Sequence, residues 1–140
     1  MKLDHIVLQN FRQYFGQQKL IFSQDPQRNV TVIHGVNGAG KTSLFLAINW
    51  CLYGEVILKE GVANLAELVS KEAVSEAQIG DEIPTSVQLV FTHDGERYSV
   101  SRFLTCVKQL NNFVNVAKHG DFTMMRIRWG SNRTEIIDNP

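Results

Sequence analysis

The segment Gly35–Thr42, GVNGAGKT, constrains the fold of this 140-residue chain more than any other feature. It matches the pattern G-x-x-x-x-G-K-[S/T] at every fixed position. Glycines at these positions let the backbone curl, so that successive N–H groups point inward at phosphate oxygens. The preceding segment VTVIHG (residues 30–35) is short and β-branched, which predicts a buried strand. We therefore predict a phosphate-binding loop, the P-loop, between a strand and a helix.

The predicted P-loop supplies the candidate site of the chain. Lys41 is expected to reach the β- and γ-phosphates of a nucleotide, and the Thr42 hydroxyl is expected to ligand Mg²⁺. A helix that begins near Lys41 adds its positive N-terminal end. A glycine-rich loop that only connects a strand to a helix is the alternative, and the complete motif in its expected context disfavours it. The candidate residues for binding ATP from this segment are Asn37, Gly38, Ala39, Gly40, Lys41, Thr42 and Ser43, and Thr42 is also the candidate metal ligand.

The predicted helix after the P-loop reads KTSLFLAINWCLY and ends at Gly54. Its residues Leu44, Ile48, Cys51 and Leu52 fall on one face. Trp50 and Tyr53 are interpreted as packing residues rather than adenine contacts, and His34 as a packed residue at the end of the strand before the P-loop.

Antiparallel hairpins are predicted on both sides of this unit. LDHIVLQNF and KLIFS predict a first hairpin with its turn around Gly16. Asp94–Gly95, between two alternating segments, predicts a second. TMMRIRWGSNRTEII predicts a third, with its turn at 130–132. Between them, NLAELVSKEAVSEAQIG predicts a weaker helix with a favourable Glu67–Lys71 pair.

Composition excludes several classes of protein. Two cysteines, Cys51 and Cys106, neither in a CxxC, argue against a disulfide framework and a zinc site. The four histidines are dispersed, and no apolar segment approaches about 18 residues. The polar and apolar residues of the N-terminus alternate, unlike those of a signal peptide. We expect a cytoplasmic protein with no membrane partner; the net charge of zero argues neither for nor against nucleic acid.

The sequence resembles the N-terminal lobe of SMC-like ATPase heads. The resemblance is carried by FRQYFG together with VTVIHGVNGAGKTSLFLAINWCLYG, which begins some twenty residues further on. It extends to RecF, RecN and the double-strand-break-repair ATPases. YSVSRF resembles that family's Y-x-V-x-R strand, and IIDNP resembles the segment before its Q-loop. The match is closest to the DndD family, ATPases linked to DNA phosphorothioation and to restriction of unmodified DNA.

The resemblance implies an α/β fold: a P-loop NTPase of the ABC/SMC-like type, in which residues 1–140 form one head lobe with a mixed sheet, a P-loop helix and an antiparallel β subdomain. It also implies that Arg12 lies near the nucleotide and that Asn37 approaches the γ-phosphate. The alternative for Arg12 is a solvated arginine in a turn, and the alternative for Asn37 is a turn-former, which is compatible with the first role.

A complete head of this family needs elements that the sequence does not show. We find no Walker B strand, Q-loop, signature motif or switch histidine, and Asp94 in LVFTHDGE is better explained by a hairpin turn than by Walker B. We therefore expect a fragment without catalytic residues that does not hydrolyse ATP alone. The implied partners are a complementary C-terminal lobe, a second head, DNA and, in a defence system, further subunits such as those acting in restriction of phage.

Two other function classes remain open. A compact P-loop kinase or GTPase is disfavoured because a hairpin precedes the P-loop, NKxD is absent and the second half predicts antiparallel strands. A non-catalytic module that senses nucleotide is the other alternative. A basic face for DNA is a further candidate, although a solvated hairpin face is the favoured interpretation; its residues are Lys118, His119, Arg126, Arg128 and Arg133.

Overall fold

The chain is described by a computed structural model at residues 1–58, 61–62, 64–120, 122–127 and 134–137. The elements before the second half are β1 (Lys2–Phe11), β2 (Tyr14–Ile21), α1 (Lys41–Tyr53), β3 (Ile57–Leu58), β4 (Gly61–Val62), a 3₁₀ turn (Leu65–Leu68) and α2 (Lys71–Glu76). Those of the second half are β5 (Glu82–His93), β6 (Glu96–Lys108), a 3₁₀ turn (Leu110–Asn112), β7 (Val114–His119), β8 (Thr123–Ile127) and β9 (Thr134–Ile137).

One sheet dominates the described part of the chain. Its strand order is β2-β1-β5-β6-β8-β9, and β7 also pairs with β6. Every pair of strands among the described residues is antiparallel. The expected mixed sheet is therefore wrong for this part of the chain, and the antiparallel subdomain is confirmed.

The predicted hairpins form, with one change. Asp94 (φ 50°) and Gly95 (φ 78°) join β5 to β6 in a two-residue turn with both residues left-handed, as Asp-Gly favours. The first hairpin turns at Arg12–Gln13 instead of Gly16, which lies inside β2. Strands β8 and β9 pair as predicted, and their turn at 130–132 lies outside the described residues.

Helix α1 is confirmed, and it packs on the sheet. Gly54 ends it in a left-handed conformation (φ 78°), and its N–H donates to the Trp50 carbonyl. The ring of Trp50 stacks on Phe11 of β1 at 5.8 Å between centroids. Tyr53, expected to pack, is 74% exposed. The buried face of the helix is broader than the predicted face and is shifted from it, because Ile48 and Leu52 are only partly buried. The buried residues of the helix are Ser43, Leu44, Leu46, Ala47, Trp50 and Cys51.

The predicted strand at residues 30–35 does not form. Val30 is 73% exposed and Val32 is 84% exposed, and His34 is exposed rather than packed. No strand among the described residues pairs with this segment. A strand needs a neighbour to satisfy its backbone N–H and C=O groups, and here the sequence supplies a β-forming segment without one.

The predicted helix over residues 64–80 is broken in two. Asn64 caps the 3₁₀ turn through the N–H of Ala66, and Ser70 caps α2 through the N–H of Ala73. Each cap starts a new helix because its side-chain oxygen accepts from the first turn that follows it. Glu67 and Lys71 consequently lie on different elements instead of one turn apart.

The core lies between α1 and the inner face of the sheet. The fully buried core side chains include Ile6, Leu8, Phe11, Leu68, Val87, Leu89, Val100 and Leu104.

No helix among the described residues has the length and apolar character needed to cross a membrane.

Candidate nucleotide-binding site

The P-loop leads directly into the N-terminus of α1. Gly38 (φ 85°) and Gly40 (φ 97°) are left-handed, and the Ala39 N–H donates to the Val36 carbonyl at 3.2 Å. Gly40 is the N-cap residue, and its carbonyl accepts the Leu44 N–H at 2.8 Å. The N–H groups of the first helical turn have no partner within the helix. Together with the helix dipole they favour an anion at this position.

Lys41 is oriented by the loop itself. Its Nζ donates to the carbonyl oxygens of Gly35 at 2.6 Å and of Val36 at 2.8 Å. The Lys41 side chain therefore folds back over the P-loop, the same loop that would hold a phosphate. Thr42 and Asn37 are exposed, so the Thr42 hydroxyl is accessible to a metal ion. A cavity of about 170 Å³, the loop cavity, is lined by Gln13, Asn37, Gly38, Gly40, Lys41, Thr42 and Ser43.

Arg12 lies against the first turn of α1. Its Nε donates to Ser43 Oγ at 3.0 Å, and its backbone N–H donates to the Leu68 carbonyl at 2.8 Å. Its φ of 49° is left-handed, a conformation that costs a residue with a side chain about 1–3 kcal/mol. The structure thus brings Arg12 to the P-loop helix, 31 residues away in sequence, and its contact with a nucleotide stays a prediction.

Ser43 differs from the other candidate residues with polar side chains because it is buried. Its hydroxyl accepts from Arg12 and donates to Gln13 Oε1. The side chain is thus occupied within the protein, and its backbone N–H in the first turn remains the group through which it would bind phosphate.

Two neighbours of the P-loop were missed by sequence reasoning. Tyr14 Oη donates to the Gly40 carbonyl at 3.0 Å, and a Cβ added at Gly40 would lie 3.1 Å from the Tyr14 ring. Burial raises the pKa of Tyr14 above its usual value near 10, so the hydroxyl is a donor at neutral pH. Gln13 accepts from Ser43 and lines the loop cavity. Both residues lie in the FRQYFG segment, whose resemblance to SMC-like heads is the sequence signal that could have placed them near the P-loop.

A larger cavity of about 560 Å³ adjoins the P-loop. One wall is the segment around α2, held to the β1–β2 turn by two backbone hydrogen bonds of 2.8 Å, Arg12 N–H to Leu68 and Ser70 N–H to Asn10. Val69 also forms an isolated antiparallel β-bridge with Phe11. The lining residues of this large cavity are Arg12, Gln13, Gly38, Ala39, Glu67, Val69, Ser70, Lys71 and Glu72.

The charges around the two cavities are distributed unequally. Lys41 is the charged residue that lines the loop cavity. The carboxylates of Glu67 and Glu72 line the large cavity, together with Arg12 and Lys71. Anion-binding groups therefore concentrate at the P-loop, and the mixed charges lie toward α2. No group of three or more potential metal ligands from His, Cys, Asp and Glu occurs among the described residues.

The other sequence candidates lie elsewhere. Asp94 is exposed in the β5–β6 turn, which confirms the turn interpretation, and its Oδ2 lies 3.4 Å from His93 Nε2. Lys118 and His119 are exposed on β7, and Arg126 lies on β8. Arg128 and Arg133 lie outside the described residues, so the candidate basic face stays a prediction.

Comparison with known proteins identifies relatives of this lobe. A protein-family model described as an AAA domain matches residues 5–139. The DNA double-strand break repair Rad50 ATPase of Methanosarcina mazei is 35% identical over 102 residues, which are 73% of this chain and 8% of that protein. The DNA replication and repair protein RecF of Prosthecochloris aestuarii is 45% identical over 51 residues, 36% of this chain and 12% of that protein.

A third relative aligns along more of the chain. The structural maintenance of chromosomes protein 3 homolog of Plasmodium falciparum is 26% identical over 141 aligned positions, 86% of this chain and 12% of that protein. The chain thus spans about a tenth of the length of these three relatives. Fold, P-loop and relatives together define the lobe of an SMC-like, ABC-type ATPase head. The chain belongs to the AAA domain family that this family model describes.

Proposed function

We propose that the chain is the nucleotide-binding N-terminal lobe of an SMC-like ATPase that acts in DNA processing. The observation that carries the proposal is the P-loop geometry. Gly38 and Gly40 are left-handed, Lys41 Nζ folds over the loop, and the first residues of α1, whose N–H groups have no partner within the helix, line the same cavity. These features suit the phosphates of ATP.

Mg²⁺ also fits the residues present. The hydroxyl of Thr42 is exposed beside the loop cavity and is an oxygen ligand of the kind that Mg²⁺ prefers. Bound Mg²⁺ would neutralise phosphate charge. Within this chain, Lys41 would hold the terminal phosphates and Arg12 would add a second cation from the β1–β2 turn.

A complementary lobe is the first proposed partner. Helix α1 packs one face on the sheet, whereas Phe45 and Tyr53, eight residues apart on its other side, are 64% and 74% exposed. The unpaired segment 30–34 is exposed beside the same P-loop unit. An apolar helix face and a β-forming segment without a neighbour are what a second lobe would cover. The remaining elements for hydrolysis, and a second head, would come with it.

The role in DNA is the finer part of the proposal. The names of the Rad50, RecF and SMC relatives place those proteins in DNA repair, replication or chromosome maintenance. The resemblance of NGAGKTSLFLAINWCLYG to the DndD family narrows the proposal to DNA-modification-dependent restriction and phage defence. Deletion of the gene in a host that modifies its DNA, followed by challenge with unmodified phage, tests this part: unchanged phage resistance would contradict it.

Nucleotide binding is tested by a thermal shift with MgATP. Ligand at 100 times its dissociation constant adds about 2.7 kcal/mol, which for a domain of this size is a rise on the order of 8–12 °C. Lys41→Ala should abolish the rise because it removes the cation over the loop. Lys118→Ala, an exposed lysine on β7, is the matched control and should keep it. A rise that persists in Lys41→Ala would contradict binding at the P-loop.

A further inference from the structure

The hydrogen bonds around Ser43 give Gln13 a defined orientation. Arg12 Nε is a donor only, and it donates to Ser43 Oγ at 3.0 Å. The single proton of the Ser43 hydroxyl is donated to Gln13 Oε1. The carbonyl oxygen of the Gln13 amide thus faces the buried serine, and its amino group, Nε2, points to the opposite side of the amide.

Gln13 lies where the two cavities meet. It lines both the loop cavity and the large cavity, as does Gly38. The side chain is exposed, and none of the hydrogen bonds found among the described residues uses its Nε2. Two N–H donors therefore lie at the wall of an anion-binding loop, on an amide that Arg12 and Ser43 hold in place.

We propose that Gln13 is a phosphate-binding residue of this site, whose Nε2 donates to a phosphate oxygen of the nucleotide in the P-loop. The inference rests on the proposed function, because it needs a nucleotide in the loop cavity. It adds a neutral donor from the β1–β2 turn to the N–H groups of α1 at the same cavity. The carboxylates of Glu67 and Glu72, which would repel the phosphate, line the large cavity and not the loop cavity.

The donor role can be separated from the acceptor role by two substitutions. Gln13→Glu keeps an oxygen that accepts from Ser43 but removes both N–H donors. Gln13→Lys keeps N–H donors at the cavity wall but removes the acceptor. A residue that binds phosphate tolerates lysine and not glutamate, whereas a residue that only positions Ser43 tolerates glutamate and not lysine. Gln17, exposed on β2, takes the same two substitutions as a control for net charge.

The experiment is calorimetric titration of each variant with MgATP and, separately, with inorganic tripolyphosphate. Gln13→Glu should weaken both ligands about tenfold or more relative to Gln17→Glu, because a donor to a charged oxygen becomes a second negative charge. Gln13→Lys should bind within a few-fold of the wild type. Equal factors for the two ligands locate the effect at the phosphates, and an unchanged melting temperature without ligand shows that the fold is intact.

Three outcomes overturn the inference. The first is that Gln13→Glu binds ligand no more weakly than Gln17→Glu. The second is that Gln13→Lys loses as much affinity as Gln13→Glu. The third is that the loss of affinity is confined to MgATP and absent for tripolyphosphate. If wild-type protein binds MgATP no better than Lys41→Ala, the proposed function itself fails and this inference fails with it.

Discussion

Gly40 shows how much a single residue contributes to the P-loop. Its φ of 97° is one that residues with a side chain rarely adopt, and an added Cβ would lie 3.1 Å from the Tyr14 ring, closer than most Cβ contacts. Its carbonyl accepts from both Tyr14 and Leu44. The backbone at this residue is consequently fixed from the β1–β2 hairpin on one side and from α1 on the other.

Gly40→Ala should therefore destabilise the protein by more than backbone strain alone. We expect a loss on the order of 2–4 kcal/mol in the free energy of unfolding, measured with urea, from strain plus overpacking. Gly16→Ala is the matched control, since Gly16 is also left-handed (φ 65°) but has open space around it. It should cost roughly 1–2 kcal/mol. Equal costs at the two positions would show that Tyr14 does not constrain the loop.

The motif residues could be predicted from sequence, and their supporting residues could not. Lys41 and Thr42 belong to a local pattern whose chemistry is readable from the residue types. Tyr14 and Gln13 contact the loop across 26 and 30 residues, and such contacts depend on how the hairpin packs against α1. The burial of Ser43, which directly follows the motif, is also a tertiary effect, because it depends on how the β1–β2 turn packs against α1.

At the scale of elements, α1 is fixed to the sheet through Cys51. This thiol is fully buried, and its Sγ lies 3.5 Å from the carbonyl oxygens of Val87 on β5 and Val100 on β6, so its single S–H proton is shared between two acceptors. Burial raises the pKa of Cys51 to about 12, against the smaller lowering effect of Arg102. Because the thiolate is the reactive species, Cys51 should be inert while α1 is docked.

Alkylation of Cys51 should therefore report undocking of α1. In a Cys106→Ala background, which removes the other buried thiol, iodoacetamide at pH 8 should label native protein only at the rate of its opening, and urea should raise that rate steeply. The control is Tyr53→Cys, made in the same background with Cys51→Ser. It places an exposed thiol on the same helix, and iodoacetamide should label this thiol without any opening of the protein. Labelling of native Cys51 as fast as this control would refute stable docking of α1.

Element prediction succeeded where the signals were local and failed where a partner was required. Asp94–Gly95 defines the β5–β6 turn by itself, and Gly54 defines the end of α1. The segment 30–35 has strand-forming residues, yet a strand exists only beside another strand. At Ser70 the capping side chain divides a segment whose periodicity alone suggests one helix.

At the scale of the whole molecule, the segment that leads into the P-loop exposes several apolar side chains. Val30, Val32, Ile33 and Val36 are exposed in sequence proximity, and Phe45 is exposed on α1. If these side chains form one surface, it marks an interaction site or a tendency to associate. The chain without a second lobe should therefore self-associate with rising concentration.

Val32→Lys should reduce that association. The side chain is 84% exposed, so its replacement should change the free energy of unfolding by no more than about 0.5 kcal/mol while placing a charge on a β-forming segment. Sedimentation velocity over a concentration series measures the effect. Gln18→Lys, an exposed change of equal charge on β2, is the control. If both variants shift association equally, net charge and not this surface controls it.

The stacking of Trp50 on Phe11 gives the molecule an internal fluorophore near its P-loop. The indole ring lies in the buried face of α1, and Phe11 directly precedes Arg12 and Gln13 in the turn that closes over Ser43. Movement of that turn when a ligand arrives would change the surroundings of the indole. Emission from Trp50, recorded in a Trp129→Phe background, would thus follow ligand arrival in real time without any attached dye.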